Sequence, residues 1–279
     1  MSHDEFTRKA FDGLELFFQC WQMEGEPKGV INLVHGLGEH SGRYSQWANW
    51  LNRAGYHVIA YDLRGHGKSA GLRGHINSFD EFVNDTEILL QEGAARFSGL
   101  PQFLYGHSLG AIISWVYVLR KKPELAGVIL TALDYRNSLE EQKVKLLLSK
   151  VLGSFLPKMT LSSGLDAQVI SRDPEVVAKY VNDPLVHDKL SMGFAKSSLT
   201  TFPWAIQHSK EWNLPVLVMH GELDKLGYVS GSREFASGVS GDCTLKVWQG
   251  LYHEIHNEPE KEQVFEFLRT WLDNHCSIE

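Results

Sequence analysis

This 279-residue chain is short of the residues that build small stapled folds: three cysteines, Cys20, Cys243 and Cys276, with no C-x-x-C pair among them. An odd, scattered set supplies neither a disulfide framework nor a thiolate zinc site, and it suits a reducing cytoplasm. No uninterrupted apolar run approaches the about 18 residues needed to span a bilayer. The opening residues Met1-Ser2-His3-Asp4-Glu5-Phe6 lack a basic segment followed by an apolar one, so no signal peptide is read there. Positive charge is also scarce. With 27 Lys and Arg against 34 Asp and Glu, the net charge of −7 argues against nucleic acid as a general partner. Gly36, Gly38 and Gly42 fit neither G-x-G-x-x-G nor G-K-[ST], so no nucleotide cofactor is implied. His253-Glu254-Ile255-His256 misses the H-E-x-x-H spacing and brings no third ligand, which leaves no case for a metal. There is no internal repeat and no low-complexity tract.

What remains is the composition of one soluble globular domain, 43% hydrophobic and 22% charged. Leu14 to Trp21 and Gly29 to Val34 read as an opening pair of strands. Val58 to Asp62, Phe103 to Tyr105 and Gly127 to Leu130 then alternate with helical stretches near 43–54, 78–97 and 109–121. That alternation predicts a mainly parallel sheet with helices on both faces. From 134 to 211 the strand pattern disappears, which predicts a helical cap inserted into a core made of 1–133 and 212–279. Within the insertion, Val144, Leu147, Leu148, Val151, Leu152 and Phe155 recur at helical spacing, flanked by Lys143, Lys145, Lys150 and Lys158. The stripe fits a cap helix packed on the body; it also fits peripheral contact with a membrane surface.

The chemistry is announced by Gly106-His107-Ser108-Leu109-Gly110, set between the apolar run 101–105 and a helix-like run from Ala111. Strand, corner and helix are what the G-x-S-x-G nucleophile elbow requires, with glycines removing the Cβ atoms that would collide at the corner. A serine hydroxyl needs a base, and the base an orienting acid. Leu214 to His220 is a buried strand running into Gly221-Glu222-Leu223-Asp224; Cys243 to Gln249 is another, running into Gly250-Leu251-Tyr252-His253. Asp224 and His253 therefore fall at the same sheet edge as Ser108. Glu222 is a rival acid. Asp242 precedes its strand and belongs to the opposite edge, His220 is still in the strand, and His256 lies one helical turn beyond His253. For the oxyanion, the N–H of Leu109 follows the nucleophile, and the loop His35-Gly36-Leu37-Gly38 after an early strand offers the N–H of Leu37.

His35-Gly36-Leu37-Gly38-Glu39-His40-Ser41-Gly42-Arg43-Tyr44 resembles the H-G-x-G-E-H-S-x-R-Y signature of the monoacylglycerol lipase and lysophospholipase branch of the α/β-hydrolases. Asp62-Leu63-Arg64-Gly65-His66-Gly67-Lys68-Ser69 and Gly71-Leu72-Arg73-Gly74 resemble that branch's D-x-R-G-H-G-x-S-x-G-x-R-G segment, and the elbow, Asp224 and Tyr252-His253-Glu254 loops complete the order. The resemblance implies an eight-stranded α/β-hydrolase sheet with a helical cap, and a Ser108–Asp224–His253 triad with Leu37 and Leu109 as oxyanion donors. It further implies a glycerol-side exit lined by Glu39, Arg43 and His256, with Tyr180 near the leaving group. The substrate it implies is a monoacylglycerol or lysophospholipid, cleaved without a cofactor through an acyl-serine. Two departures stand out. Leu109-Gly110-Ala111 replaces the branch's methionine and double glycine, and Leu133-Asp134-Tyr135-Arg136-Asn137 is bulkier and more polar than its counterpart. Two other functions share the scaffold. A serine aminopeptidase of the proline-iminopeptidase type would need an acidic cluster for the substrate's ammonium, and Glu140, Glu141, Asp166, Asp173 and Glu175 are the candidates. A non-catalytic ligand-binding module is disfavoured, because every triad position is filled.

Overall fold

In a computed structural model of the chain, the residues described are 1–133, 135 and 153–276. Val144, Leu147, Leu148, Val151 and Leu152 of the apolar stripe lie outside them, with Lys143, Lys145 and Lys150, and so do Asp134, Arg136 and Asn137. Phe155, the last member of that stripe, is 80% exposed. Among the described residues, no helix is long and apolar enough to cross a membrane.

The strands in chain order are β1 (Ser2–Lys9), β2 (Glu15–Gln22), β3 (Gly29–Val34), β4 (Tyr56–Tyr61), β5 (Gln102–His107), β6 (Gly127–Thr131), β7 (Thr160–Ser162), β8 (Lys189–Ser191), β9 (Val216–Gly221) and β10 (Cys243–Trp248). The helices are α1 (Ser45–Ala54), α2 (Phe79–Arg96), α3 (Leu109–Lys121), α4 (Pro174–Asn182), α5 (Met192–His208), α6 (Val229–Gly238) and α7 (Lys261–His275). Eight strands form one sheet in the order β1-β2-β4-β3-β5-β6-β9-β10, and β7 pairs with β8 apart from it. Only the pairings β1–β2 and β2–β4 in the large sheet are antiparallel. β3, β4, β6 and β9 are buried along their whole length, and β5 is buried beyond Gln102, as strands covered on both faces must be. One apolar layer joins the sheet to α2 and α3, the other to α1 and α7. This is the α/β-hydrolase architecture.

β1 is one element the sequence reading missed; β7 and β8, inside the stretch read as helical, are two others. The exposure of β1 alternates, so charged residues face water while Phe6 packs on Phe18 with ring centroids 5.2 Å apart. An edge strand lined with charge on its outer face is a common protection against further pairing. The segment between β6 and β9 is more divided than a single cap. Its helix α5 is capped by Ser191, whose Oγ accepts the Phe194 N–H. That helix joins the main core through Phe194 and Ala205, with Phe194 6.1 Å from Phe82 and Phe202 6.0 Å from Phe79. The Arg64 to Ser69 segment is a turn held by buried polar contacts. Asp62 accepts the Ser41 and Lys68 N–H groups at 2.8 and 2.7 Å, and Arg64 pairs with Asp85. Strands β3, β5, β6, β9 and β10 all run parallel, so their carboxyl ends open on one edge of the sheet.

Candidate active site

At that edge β5 ends, and Ser108 takes φ 53° and ψ −117° before α3 begins. A non-glycine residue held at positive φ stores roughly 1–3 kcal/mol of strain, tolerated where the surroundings fix it. Here the Ser108 N–H donates to Thr131 O at 2.9 Å. Its neighbours leave room for nothing larger. A Cβ on Gly106 would sit 2.3 Å from Gly110 O, and one on Gly110 would sit 2.1 Å from Val34 O. The sequence pattern and the corner thus have one steric cause. Ala111, which departs from the branch's glycine, is fully buried.

β9 delivers Asp224, whose Oδ2 receives His253 Nδ1–H at 2.7 Å. The same oxygen also faces His220 Nε2 at 3.0 Å. Oδ1 accepts the N–H groups of Leu226 and Gly227 at 2.8 and 3.1 Å. Burial opposes the charge, but His253 and His220 beside it hold the carboxyl well below the usual range, so it is ionised near pH 7. With Nδ1 directed at Asp224, the remaining His253 nitrogen is Nε2, the atom a general base uses. The His253 ring lies 4.9 Å from that of His107, the residue before Ser108. Glu222, the rival acid, is exposed. Asp242 sits at the far edge beside His275. His220 was passed over as a strand residue; its Nδ1 accepts from Ser232 Oγ at 2.7 Å, which turns its Nε2–H toward Asp224.

β3 delivers the loop that carries Leu37. His35 Nε2 accepts the Leu63 N–H at 2.9 Å, so its Nδ1 donates to Gly36 O at 2.8 Å. Gly38 holds φ +77°, and its carbonyl accepts the His187 N–H at 2.8 Å, tying the loop to the segment before β8. His40 Nε2 donates to Asp183 Oδ2 at 2.9 Å in the same segment. Among the described residues, the N–H groups of Leu37 and Leu109 have no hydrogen-bond acceptor. Leu109 opens α3, where the helix dipole favours negative charge.

Glu39, Arg43, Tyr180 and His256 are also brought together. Glu39 Oε1 accepts the Gly36 N–H at 2.7 Å and the Tyr44 hydroxyl at 2.8 Å, while Arg43 Nη1 binds Oε2. Arg43 forks onto Glu254 at 2.7 and 2.8 Å, and its guanidinium lies 4.6 Å from the centre of the Tyr180 ring. Burial opposes the Glu254 charge, but Arg43 beside it lowers the carboxyl to about 2. His256 is stacked on Tyr44 at 5.0 Å, and burial lowers its imidazole to about 4, so it is neutral at pH 7. A cavity of about 280 Å³ adjoins this group, lined by Leu37, Tyr180, Val186 and His187 among others. Among the described residues, no group of His, Cys, Asp or Glu is arranged to hold a metal ion. Glu254 is the member the sequence reading did not single out.

The family profile described as "Serine aminopeptidase, S33" matches residues 25–260. A monoacylglycerol lipase of Mycolicibacterium smegmatis is 38% identical over 276 residues, 98% of each chain. An uncharacterized abhydrolase domain-containing protein of Dictyostelium discoideum is 35% identical over 92% of this chain, which spans only 27% of that relative's length. Among solved structures, the Paleococcus ferrophilus monoacylglycerol lipase superposes with a TM-score of 0.85 at 35% identity, covering 93% of this chain and 99% of the other.

Proposed function

This chain belongs to the serine aminopeptidase S33 family and to the monoacylglycerol lipase branch of the α/β-hydrolases; from that premise of a serine ester hydrolase, we propose that it cleaves monoacylglycerols. Ser108 Oγ attacks the ester carbonyl as His253 Nε2 takes its proton. Asp224 keeps Nδ1 protonated and stabilises the imidazolium. The N–H groups of Leu37 and Leu109 receive the oxyanion. Donors of this kind contribute on the order of 3–4 kcal/mol each in comparable enzymes. The protonated His253 then gives its proton to the departing alcohol, which leaves an acyl-serine. Water activated by His253 hydrolyses it. The alcohol departs on the side of Tyr180 and His256.

The observation that carries this reading is the buried Asp224–His253 hydrogen bond of 2.7 Å, set at the strand-end edge where Ser108 is held at positive φ. A fluorophosphonate probe should label the wild type and not Ser108→Ala. A panel of monoacylglycerols from short to long chain, with lysophosphatidylcholine alongside, should show turnover of the glycerol esters. Labelling that persists in Ser108→Ala would remove the mechanism.

The aminopeptidase reading finds less support. Asp166 and Asp173 spend their carboxylates capping the Gln168 and Glu175 N–H groups, and Glu175 is exposed. Glu140 and Glu141 lie outside the described residues. Faster turnover of a proline arylamide than of a p-nitrophenyl ester would favour it.

A further inference from the structure

Glu39 and Arg43 carry a charge network whose partners are protein groups. Both oxygens of the Glu39 carboxylate are occupied, Oε1 by the Gly36 N–H and the Tyr44 hydroxyl, Oε2 by Arg43. Both oxygens of Glu254 are occupied as well, by Arg43 Nη1 and Nη2 and by Asn257 Nδ2 at 2.8 Å. The two carboxylates are 3% and 2% exposed, and the Arg43 side chain between them is 10% exposed. Gly36 precedes Leu37, the expected oxyanion donor, and Glu254 follows His253, the expected base. Glu254 and Arg43 are 211 positions apart in sequence. One guanidinium therefore joins the loop after β3 to the loop after β10. Its planar fork can grip one carboxylate with two nitrogens while holding a second carboxylate from the side, which a lysine ammonium cannot do in fixed geometry.

We propose that Arg43 is a positioning residue: through Glu39 and Glu254 it holds the Leu37 N–H and the His253 imidazole in a fixed relative register, and it acts on catalysis without contacting the substrate's alcohol. The claim rests on the ester-hydrolase reading above, and it gives Glu39 and Arg43 a role other than lining the glycerol exit. Cutting the bridge releases both loops at once. A displacement near 1 Å at reacting groups costs about 10²-fold in rate.

The test compares two esters of one acyl chain, a glycerol ester and a p-nitrophenyl ester, with rates expressed per serine titrated by the fluorophosphonate probe. Arg43→Met should lower kcat by about 10²-fold on both esters, with KM nearly unchanged. Arg43→Lys, which restores the charge without the fork, should recover only part of that loss. Glu254→Gln should lower kcat less, and the double variant with Arg43→Met should be no worse than Arg43→Met alone, because the link is already cut. A loss confined to the glycerol ester, or appearing in its KM, means that Arg43 touches the alcohol and overturns the proposal. So does a lower titratable fraction with normal kcat per titrated serine, the mark of a purely structural role. If the wild type turns over the p-nitrophenyl ester and no glycerol ester, the monoacylglycerol reading fails and the bridge is judged on the remaining rate. A wild type that the probe does not label removes both.

Discussion

Gly110→Ala tests whether the elbow's sterics govern both stability and chemistry. The added Cβ would stand 2.1 Å from Val34 O and 2.6 Å from His35 O, where ordinary contact begins at 3.4 Å. Both obstacles are backbone atoms at the end of β3, so no side chain can swing away. The first turn of α3 or the exit of β3 must retreat by about 1.3 Å from the position in which it packs now. Overpacking of a close-packed site typically costs about 1–3 kcal/mol. For a chain of this size that corresponds to a fall in Tm of about 2–12 °C. The retreating segment carries the Leu109 N–H and lies beside the Leu37 loop, so a displacement of that size should lower kcat by about 10²-fold. Thermal melting and p-nitrophenyl ester turnover, normalised to titrated serine, measure the two effects. Gly241→Ala is the control, because nothing lies within 4 Å of the new methyl. A Gly110→Ala protein with the Tm and kcat of the wild type would refute the steric argument, and with it the claim that strand–helix approach sets the nucleophile.

Three further outcomes follow from the same geometry. Asp224→Asn removes the charge that fixes the His253 tautomer and should lower kcat by about 10⁴-fold; a loss under tenfold on the p-nitrophenyl ester would mean that another group orients the imidazole. His220→Leu deletes one of the donors to Asp224 Oδ2 and should destabilise the fold by about 1.5–3 kcal/mol, read by urea unfolding, with an unchanged midpoint counting against the contact. Acid should unfold the protein in a defined direction: Arg43 depresses Glu254 from 4.5 to about 2, so its contribution is fully present above pH 4.5 and is lost as the pH falls toward 2. Asp224, also depressed, acts in the same sense. Tm measured from pH 7 to 3 should fall steeply below about 4.5, and a flat profile there would contradict the pairing.

Much of this arrangement was readable from the chain, for identifiable reasons. Buried parallel strands are continuous apolar runs, and a loop beginning where such a run stops must lie at the strand's carboxyl end. That single rule places Asp224 and His253 together without any knowledge of their contact, and it rejects Asp242. β1 escaped because SHDEFTRK is an edge strand whose outer face is charged, so its composition resembles a solvated tail. His220 escaped because a histidine near a strand's end is ordinarily a core residue. Its i, i+4 relation to Asp224 was the available signal. Glu254 offered less, since the H-E-x-x-H spacing was the question asked of it and its partner lies 211 positions upstream. The division of the segment between β6 and β9 was hidden for another reason. The apolar residues of α5 have the same spacing whether the helix covers a pocket or packs on α2 and α3.

The convergence of the site depends on each loop being secured by the neighbouring strand's exit and less by its own sequence. Thr131 O at the end of β6 receives the Ser108 N–H. The carbonyls of Trp248, at the end of β10, and Leu251, just after it, receive the N–H groups of Glu222 and Leu223 at 2.8 and 2.9 Å, so the Asp224 loop is pinned to the His253 loop. A Cβ on Gly221 would meet Tyr252 O at 2.1 Å, which shows how closely those two loops pass. On the other side, Arg43 ties the His253 loop to the loop of Leu37. Each tether joins segments that are remote in sequence, and three of them are backbone hydrogen bonds, which do not depend on the identity of the side chain. The charged bridge at Arg43 is different in kind. It is a side-chain link between two buried carboxylates, so a single substitution can cut it, and removing the cation leaves two buried anions without their counter-charge. Among these tethers, a side-chain substitution should therefore cut only the one at Arg43; Trp248 and Leu251 bond through backbone carbonyls, and their buried side chains bear on the core instead.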